Sequence, residues 1–201
     1  MLDQTLREYK DYPFKILPKS ITSKISPNIV TLVAFGVAAI CIYFIIKGNF
    51  TLGLLFWIIN RIVDGLDGHI ARTNNKKTDF GGFLDTSLDL LTYAGIICAF
   101  SFVFATSSSI VITGVLLIAL FYVNIGQLFM LSAIIEKQNK KLMHMTTLYM
   151  PISIVEGFET ILLYSLFFIF PEKILELWTL FIILMILNIF QRFYWAIKYV
   201  K

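Results

Sequence analysis

"RIVDGLDGHIARTNNKKTDFGGFLDTSLD", residues 61–89, holds five aspartates, two arginines and two lysines in a chain that is 58% hydrophobic. Apolar runs flank it on both sides. Ionisable groups at membrane depth are costly and mark a site by default. The fold therefore turns on whether these residues lie between membrane spans.

The surrounding composition places them there. A mean hydropathy of +0.79 and only 15% charged residues over 201 positions describe an integral membrane protein. The length suits one domain, 1–201, with a charged cytoplasmic surface segment over 1–25. No secretory signal pattern occurs in the first 27 residues, so the first apolar run is expected to act as an uncleaved anchor. A pI near 9.0 raises the question of nucleic acid. There is no basic stripe interleaved with aromatics, and membrane topology accounts for the charge, so no nucleic acid is expected. Cys41 and Cys98 fall in apolar runs and read as small buried hydrophobes rather than a disulfide.

A bilayer core needs about 20 mainly apolar residues per helix. Six spans are expected, at about 28–47, 51–70, 80–105, 109–135, 147–170 and 174–197, separated by turn chemistry at Gly48-Asn49, "TNNKK", Ser107-Ser108-Ser109, "EKQNKK" and Pro171-Glu172. Of the 17 lysines and arginines, only Lys47 and Lys173 fall opposite the termini in this scheme. That asymmetry puts the termini and the 61–89 segment in the cytoplasm. Residues 1–12 read as an amphipathic helix on the membrane surface, with Leu2, Leu6 and Tyr9 on one face. Ser26-Pro27-Asn28 reads as a helix start, serine as N-cap and proline at the first position. Trp178 and Trp195, near span ends, require only the aromatic belt. The fold class is all-α, six transmembrane helices after an N-terminal surface helix.

Asp64 and Asp67 are three apart at the end of the second span; Asp85 and Asp89 are four apart near the start of the third. Each pair occupies one helix face. Facing carboxylates in a half-dry site repel unless cations neutralise them. All-oxygen ligands point to hard divalent ions such as Mg²⁺ or Mn²⁺, which in pairs commonly stabilise charge in phosphoryl chemistry. Two structural alternatives stand beside this. An EF-hand loop is disfavoured, because the alternating ligands and closing glutamate are missing. Ion pairing of the aspartates with Arg61 and Arg72 is the other.

The string Asp64-x2-Asp67-Gly68-x2-Ala71-Arg72-x8-Gly81-x3-Asp85-x3-Asp89 resembles, at every fixed position, the signature of the CDP-alcohol phosphatidyltransferases. At ordinary residue usage, eight fixed positions coincide by chance on the order of once in 10¹⁰ windows. "SPNIVT" (26–31) is similar to the opening of that family's first span, and "EGFETILLY" (156–164) to a stretch in some short bacterial members. The resemblance implies displacement of CMP from a CDP-linked lipid, usually CDP-diacylglycerol, by an alcohol hydroxyl. It also implies a homodimer of six-helix protomers in the bacterial inner membrane, with the active site on the cytoplasmic side. Carried over by position, Asp64, Asp67, Asp85 and Asp89 match ligands of two divalent cations, and Asp89 also matches the general base. Gly68, Ala71, Arg72 and Gly81, with Asn28 and Thr31, match positions around the nucleotide and pyrophosphate.

The acceptor is less marked. Glu156 and Glu159 are expected inside the fifth span, some 14–18 Å from its start at about 1.5 Å per residue, where they either line an acceptor pocket or bond neighbouring polar groups. Arg192 reads as a topology anchor or an acceptor contact, His144 as a loop residue, and Lys137, Lys140 and Lys141 as topology and lipid-phosphate contacts. Because the fifth span has carboxylates and no lysine or arginine, the expectation leans to an amine-bearing or polyol acceptor. The alternatives are glycerol 3-phosphate, which would make the chain a phosphatidylglycerophosphate synthase, and a small transporter using intramembrane carboxylates. Transport is disfavoured because no inverted repeat is visible and the aspartates cluster at one side.

Overall fold

The computed structural model describes Phe14, residues 22–137 and residues 153–199. The expected surface helix 1–12, residues 147–152 of the fifth span, Lys140, Lys141 and His144 lie outside the described residues. Within them the chain is an all-α membrane protein. Its helices are α1 (Pro27–Ile46), α2 (Phe50–Thr73), α3 (Asp79–Val103), α4 (Ser108–Lys137), α5 (Gly157–Ile169) and α6 (Ile174–Tyr199), with a 3₁₀ turn, Pro171–Lys173, before α6. Four stretches are long and apolar enough to cross a membrane: Pro27–Ile46, Asp79–Val103, Ser108–Lys137 and Pro171–Lys198. At 24 residues α2 has the length, but it carries the charged motif. At 13 residues α5 is short.

The turn residues explain the boundaries. Pro27 occupies the first position of α1 after an extended Ser26, although the serine side chain makes no capping bond. Gly48, at φ 73°, ends α1. Its N–H donates to Ile45 O (2.8 Å) and the Asn49 N–H to Phe44 O (2.9 Å), the paired closure of a left-handed helix stop. Asn49 then caps α2 by accepting from Leu52 N at 3.1 Å. Asn75, at φ 54°, repeats the device after α2, with Lys76 N donating to Ala71 O at 2.9 Å. Thr78 caps α3 through Gly81 N at 3.0 Å. Lys76 Nζ reaches back to the carbonyls of Ser23 (2.5 Å) and Ile25 (3.1 Å), fastening this end of the bundle to the segment before α1.

α1 packs mainly on α2 and α3, α4 on α6, and α5 joins α2 to α6. Lipid tails are as apolar as leucine, so helices associate in a bilayer through close packing and interhelical hydrogen bonds. Both are present. The core is aromatic, with Trp57, Phe100, Tyr164, Phe167, Trp178 and Phe181 fully enclosed. Trp57 stacks on Tyr164 at 5.5 Å, and Phe121 meets Phe181 edge-on at 5.3 Å. Asn60 Nδ2 donates to Ala34 O (2.7 Å), Trp57 Nε1 to Ser165 Oγ (3.1 Å) and Tyr164 Oη to Tyr93 O (3.1 Å). Outer faces expose apolar groups such as Phe102, Ile112 and Phe190, which suits contact with lipid.

Two expectations are corrected here. Trp178 is a core residue with no exposure, not a belt residue. Its ring lies against Gly114 of α4, where a Cβ would come within 2.7 Å of Trp178 Cζ3. Cys98 is exposed on α3, while Cys41 is buried as expected; both are free thiols. The Gly114 contact is testable. Gly114→Val should lower the melting temperature in detergent by several degrees, since overpacking costs about 1–3 kcal/mol. Gly126→Ala, where nothing lies within 4 Å of the added carbon, should leave it unchanged or slightly raised. Equal melting of the two variants would show that the α4–α6 seam does not depend on the missing side chain.

Candidate active site

The motif residues occupy two facing helix ends, α2 and α3, joined by the tight Asn75 turn. The three-residue step from Asp64 to Asp67 and the position of Asp85 one turn and a half into α3 bring three carboxylates together. One oxygen from each of Asp64, Asp67 and Asp85 lies within 4.8 Å of the other two. An ion about 2.0–2.6 Å from each oxygen spans that separation, and the all-oxygen donor set suits Mg²⁺, Mn²⁺ or Ca²⁺. The residues present therefore fit a divalent ion.

Asp67 is the deepest of the three at 7% exposure. Thr31 of α1 fixes it: its hydroxyl lies 2.5 Å from Asp67 Oδ2 and 3.1 Å from Pro27 O. A hydroxyl has one hydrogen, and the shorter, charge-assisted contact to the carboxylate takes it. Thr31, expected beside the nucleotide, is buried and faces the Asp67 carboxylate.

Asp89 is not one of that group, although it lies within electrostatic range of all three. Its Oδ1 accepts from Arg61 Nη2 at 2.9 Å, and Arg61 Nη1 lies 3.6 Å from Asp64 Oδ2. Arg61 is the main residue that spacing alone undervalued. Its side chain is 8% exposed. Nε and Nη2 both donate to Asn60 Oδ1 (2.8 and 2.6 Å), and Nη1 donates to Tyr93 Oη at 3.0 Å. The guanidinium carbon lies 4.7 Å from the centre of the Trp57 ring and 5.2 Å from that of Tyr93. The available signal was the Asn60-Arg61 pair within an apolar stretch, one turn before Asp64.

The remaining motif positions gather near the same end. A Cβ on Gly68 would come 2.9 Å from Arg72 Nη1, so the missing side chain lets that exposed guanidinium lie across α2. A Cβ on Gly81 would meet Thr78 Oγ1 at 3.0 Å and Asn28 Oδ1 at 3.1 Å, so Gly81 allows the starts of α1 and α3 to approach. Ala71 is half-buried. Beside Asn28 opens a hollow of about 410 Å³ lined by Lys24, Ser26, Pro27, Asn28, Lys76 and Thr78. Its two lysines give it a positive wall.

Glu156 and Glu159 stand at the start of the fifth helix rather than in its middle. α5 starts at Gly157, with Glu156 as N-cap and Glu159 at the third helical position. The two form a reciprocal capping box, each carboxylate accepting a backbone N–H of the other residue. Glu156 Oε1 also accepts from Ser153 N at 3.0 Å, and Glu159 Oε2 from Glu156 N at 3.1 Å. The hydropathy run continued through "PISIVEGF", whereas the helix needs its first N–H groups satisfied and starts where these glutamates do so. Arg192 is buried in the α4–α6 seam, where Nη1 donates to the Asn124 carbonyl. A topology anchor would reach for water; Arg192 does not.

These geometric findings agree with the relationships of the sequence. The family model for CDP-alcohol phosphatidyltransferase matches residues 24–190. The inner membrane protein YnjF of Escherichia coli is 36% identical over 151 residues, 73% of this chain and 71% of that one. An archaetidylinositol phosphate synthase of Pyrococcus horikoshii is 33% identical over 86 residues, 42% of this chain and 46% of its own length. A bifunctional IPC transferase and DIPP synthase of Archaeoglobus fulgidus is 36% identical over 72 residues, 35% of this chain and 14% of that one. The family match covers α1 to α5, α6 as far as residue 190 and every position of the aspartate motif, and so this multi-pass membrane protein is an enzyme that belongs to the CDP-alcohol phosphatidyltransferase family.

Proposed function

We propose that the protein transfers a phosphatidyl-type group from a CDP-linked lipid, CDP-diacylglycerol, to an alcohol acceptor with release of CMP, as a step of phospholipid synthesis at the cytoplasmic face of a bacterial inner membrane. The observation that carries this is the nest of Asp64, Asp67 and Asp85 at the rim of a membrane bundle, beside Arg72 and a lysine-lined hollow. A lipid pyrophosphate needs that combination: charge compensation at the surface, with room for tails in the bilayer.

Asp64, Asp67 and Asp85 would hold the divalent ion, Mg²⁺ or Mn²⁺, which when bound offsets the charge of the pyrophosphate and the leaving CMP. That group of three is the part of the motif drawn together among the described residues, and the expected pair of ions, with Asp89 as a further ligand, belongs to the same proposal. Arg72 presents a planar fork to phosphate oxygens. Gly68 lets Arg72 lie across α2 and Gly81 lets Asn28 approach α3, and these residues with Ala71 would surround the nucleotide. Thr31 contributes by holding Asp67. Asp89, kept off the nest by Arg61, is the base that takes the acceptor's hydroxyl proton. The homodimer implied by the family resemblance belongs to the same proposal.

For the acceptor, the reason to prefer an amine has gone. Glu156 and Glu159 are engaged at the start of α5, so they do not present an open acidic wall. That favours a second reading in which the acceptor is a polyol bearing phosphate. The names of the archaeal relatives, an archaetidylinositol phosphate synthase and an IPC transferase, point the same way.

Purified protein in lipid vesicles with CDP-diacylglycerol tests the whole scheme. CMP release should vanish in excess chelator and return with Mg²⁺ or Mn²⁺; full turnover in chelator would refute the metal role. Asp89→Asn should cut CMP release by about 10²–10⁴-fold, the usual worth of a general base. Its helix content and melting should stay close to wild type; near-normal turnover would remove Asp89 from the chemistry. Offered glycerol 3-phosphate, an inositol phosphate, free inositol and an amino alcohol together, the enzyme should consume a phosphate-bearing polyol first, and Glu156→Gln should not reverse that order. Preference for the amino alcohol, lost in Glu156→Gln or Glu159→Gln, would restore the acidic pocket.

A further inference from the structure

Arg61 is held more tightly than charge neutralisation or topology requires. A cation kept only for membrane orientation extends to water along its flexible stem. Arg61 instead is enclosed, its donors bond Asn60, Tyr93 and Asp89, and Nη1 lies at the longer distance of 3.6 Å from Asp64 Oδ2. The acceptors are themselves fixed. Asn60 is pinned to α1 by its bond to Ala34 O (2.7 Å), and the backbone carbonyl of Tyr93 accepts from Tyr164 of α5 (3.1 Å). The Trp57 and Tyr93 rings cover the guanidinium. Four helices thus determine where this one positive charge sits.

Its location divides the aspartates. Asp85 and Asp89 are one helical turn apart, and a carboxylate at either position has reach towards Asp64. Only Asp85 joins Asp64 and Asp67; Asp89 is drawn to Nη2 at 2.9 Å. We propose that Arg61 is the positioning residue that sorts the four carboxylates, assigning three to the metal ion and withholding Asp89 for the acceptor hydroxyl. This rests on the proposed metal and base roles of those aspartates. A lysine would not serve equally: it has the charge, but neither the planar face for Trp57 nor a fork that holds Asn60 and Asp89 together.

Without Arg61, Asp89 is free to turn to the ion. Metal binding should then tighten while turnover falls, a combination that simple loss of packing does not give. The experiment is Mn²⁺ titration by electron paramagnetic resonance, without substrate, on wild type, Arg61→Gln, Asp89→Asn and the double variant, with CMP release measured in parallel. Arg61→Gln should bind Mn²⁺ about tenfold more tightly, within the range of coupling between directly contacting groups, and lose about 100-fold or more in kcat, as expected for a displaced base. Its KM for CDP-diacylglycerol should move little. In the Asp89→Asn background the same substitution should tighten Mn²⁺ by no more than about threefold, the through-space effect of one lost charge. Arg61→Lys should lie between, tightening the ion about threefold, and it decides the matter if the glutamine variant does not fold. Unchanged or weaker Mn²⁺ affinity in a folded Arg61 variant, or equal tightening in both backgrounds, overturns the sorting role alone. Wild-type protein that takes up no Mn²⁺ overturns the metal reading itself.

Discussion

Everything at the α2–α3 end depends on bringing four carboxylates to two adjoining helices without driving those helices apart. At 4.8 Å, two like charges repel by about 3 kcal/mol for an effective dielectric near 20. Several such pairs would exceed the net stability of an ordinary domain, about 5–15 kcal/mol. Arg61 supplies the permanent opposing charge. It bridges Asp64 on its own helix and Asp89 on the next, so the same contact that relieves repulsion also ties α2 to α3. The cost of enclosing a guanidinium is met by Asn60, Tyr93 and two aromatic faces, and these carry the constraint on into α1 and α5. Charge at the site and packing of the bundle are one problem here, solved by one residue.

That coupling explains the composition of α2. It is long enough to span a bilayer, yet its second half gives up apolar character for Arg61, Asp64, Asp67, His69 and Arg72. In compensation its first half contributes Gly53 and Trp57 to the aromatic core. A Cβ on Gly53 would lie 3.0 Å from Phe168 of α5, so the glycine allows α5 to approach the helix that bears the motif. One end of α2 fixes the bundle and the other carries the chemistry.

The sequence was informative where the signal is local and periodic. Apolar runs located the helices, Gly48-Asn49 and "TNNKK" located two turns, and spacings of three and four placed the aspartates on common faces. What was illegible depends on pairing across long separations or on backbone groups. Nothing in the spacing says that Arg61 prefers Asp89, 28 residues away, to a place in the solvent. Nothing in hydropathy separates a tryptophan at a membrane interface from one seated against Gly114, 64 positions earlier in the chain, because both stand near the end of an apolar run. Glu156 and Glu159 resisted for another reason. A glutamate three residues after a capping residue is a helix-start signal, but Glu156 is itself the cap, and glutamate is seldom that residue.

The shortness of α5 follows from that start and reshapes the interior. Thirteen residues at about 1.5 Å each cover roughly 20 Å, well under a hydrocarbon core of about 30 Å. Residues 153–156 are therefore irregular backbone close to membrane depth, where unsatisfied N–H and C=O groups are tolerated only inside protein or beside water. α4 and α6 answer with a polar layer. Ile154 N donates to Asn188 Oδ1 (3.1 Å) and Gln191 Oε1 (3.0 Å), while Asn188 Nδ2 reaches Val155 O and Asn124 Oδ1, both at 3.3 Å. Arg192, one turn beyond Asn188, adds its bond to the Asn124 carbonyl. Asn124, Asn188 and Arg192 are all buried in a seam that is otherwise apolar. Asn188 and Gln191 answer the α5 boundary directly, because a shortened helix exposes backbone that facing side chains must satisfy, while Asn124 and Arg192 brace that layer from α4 and α6.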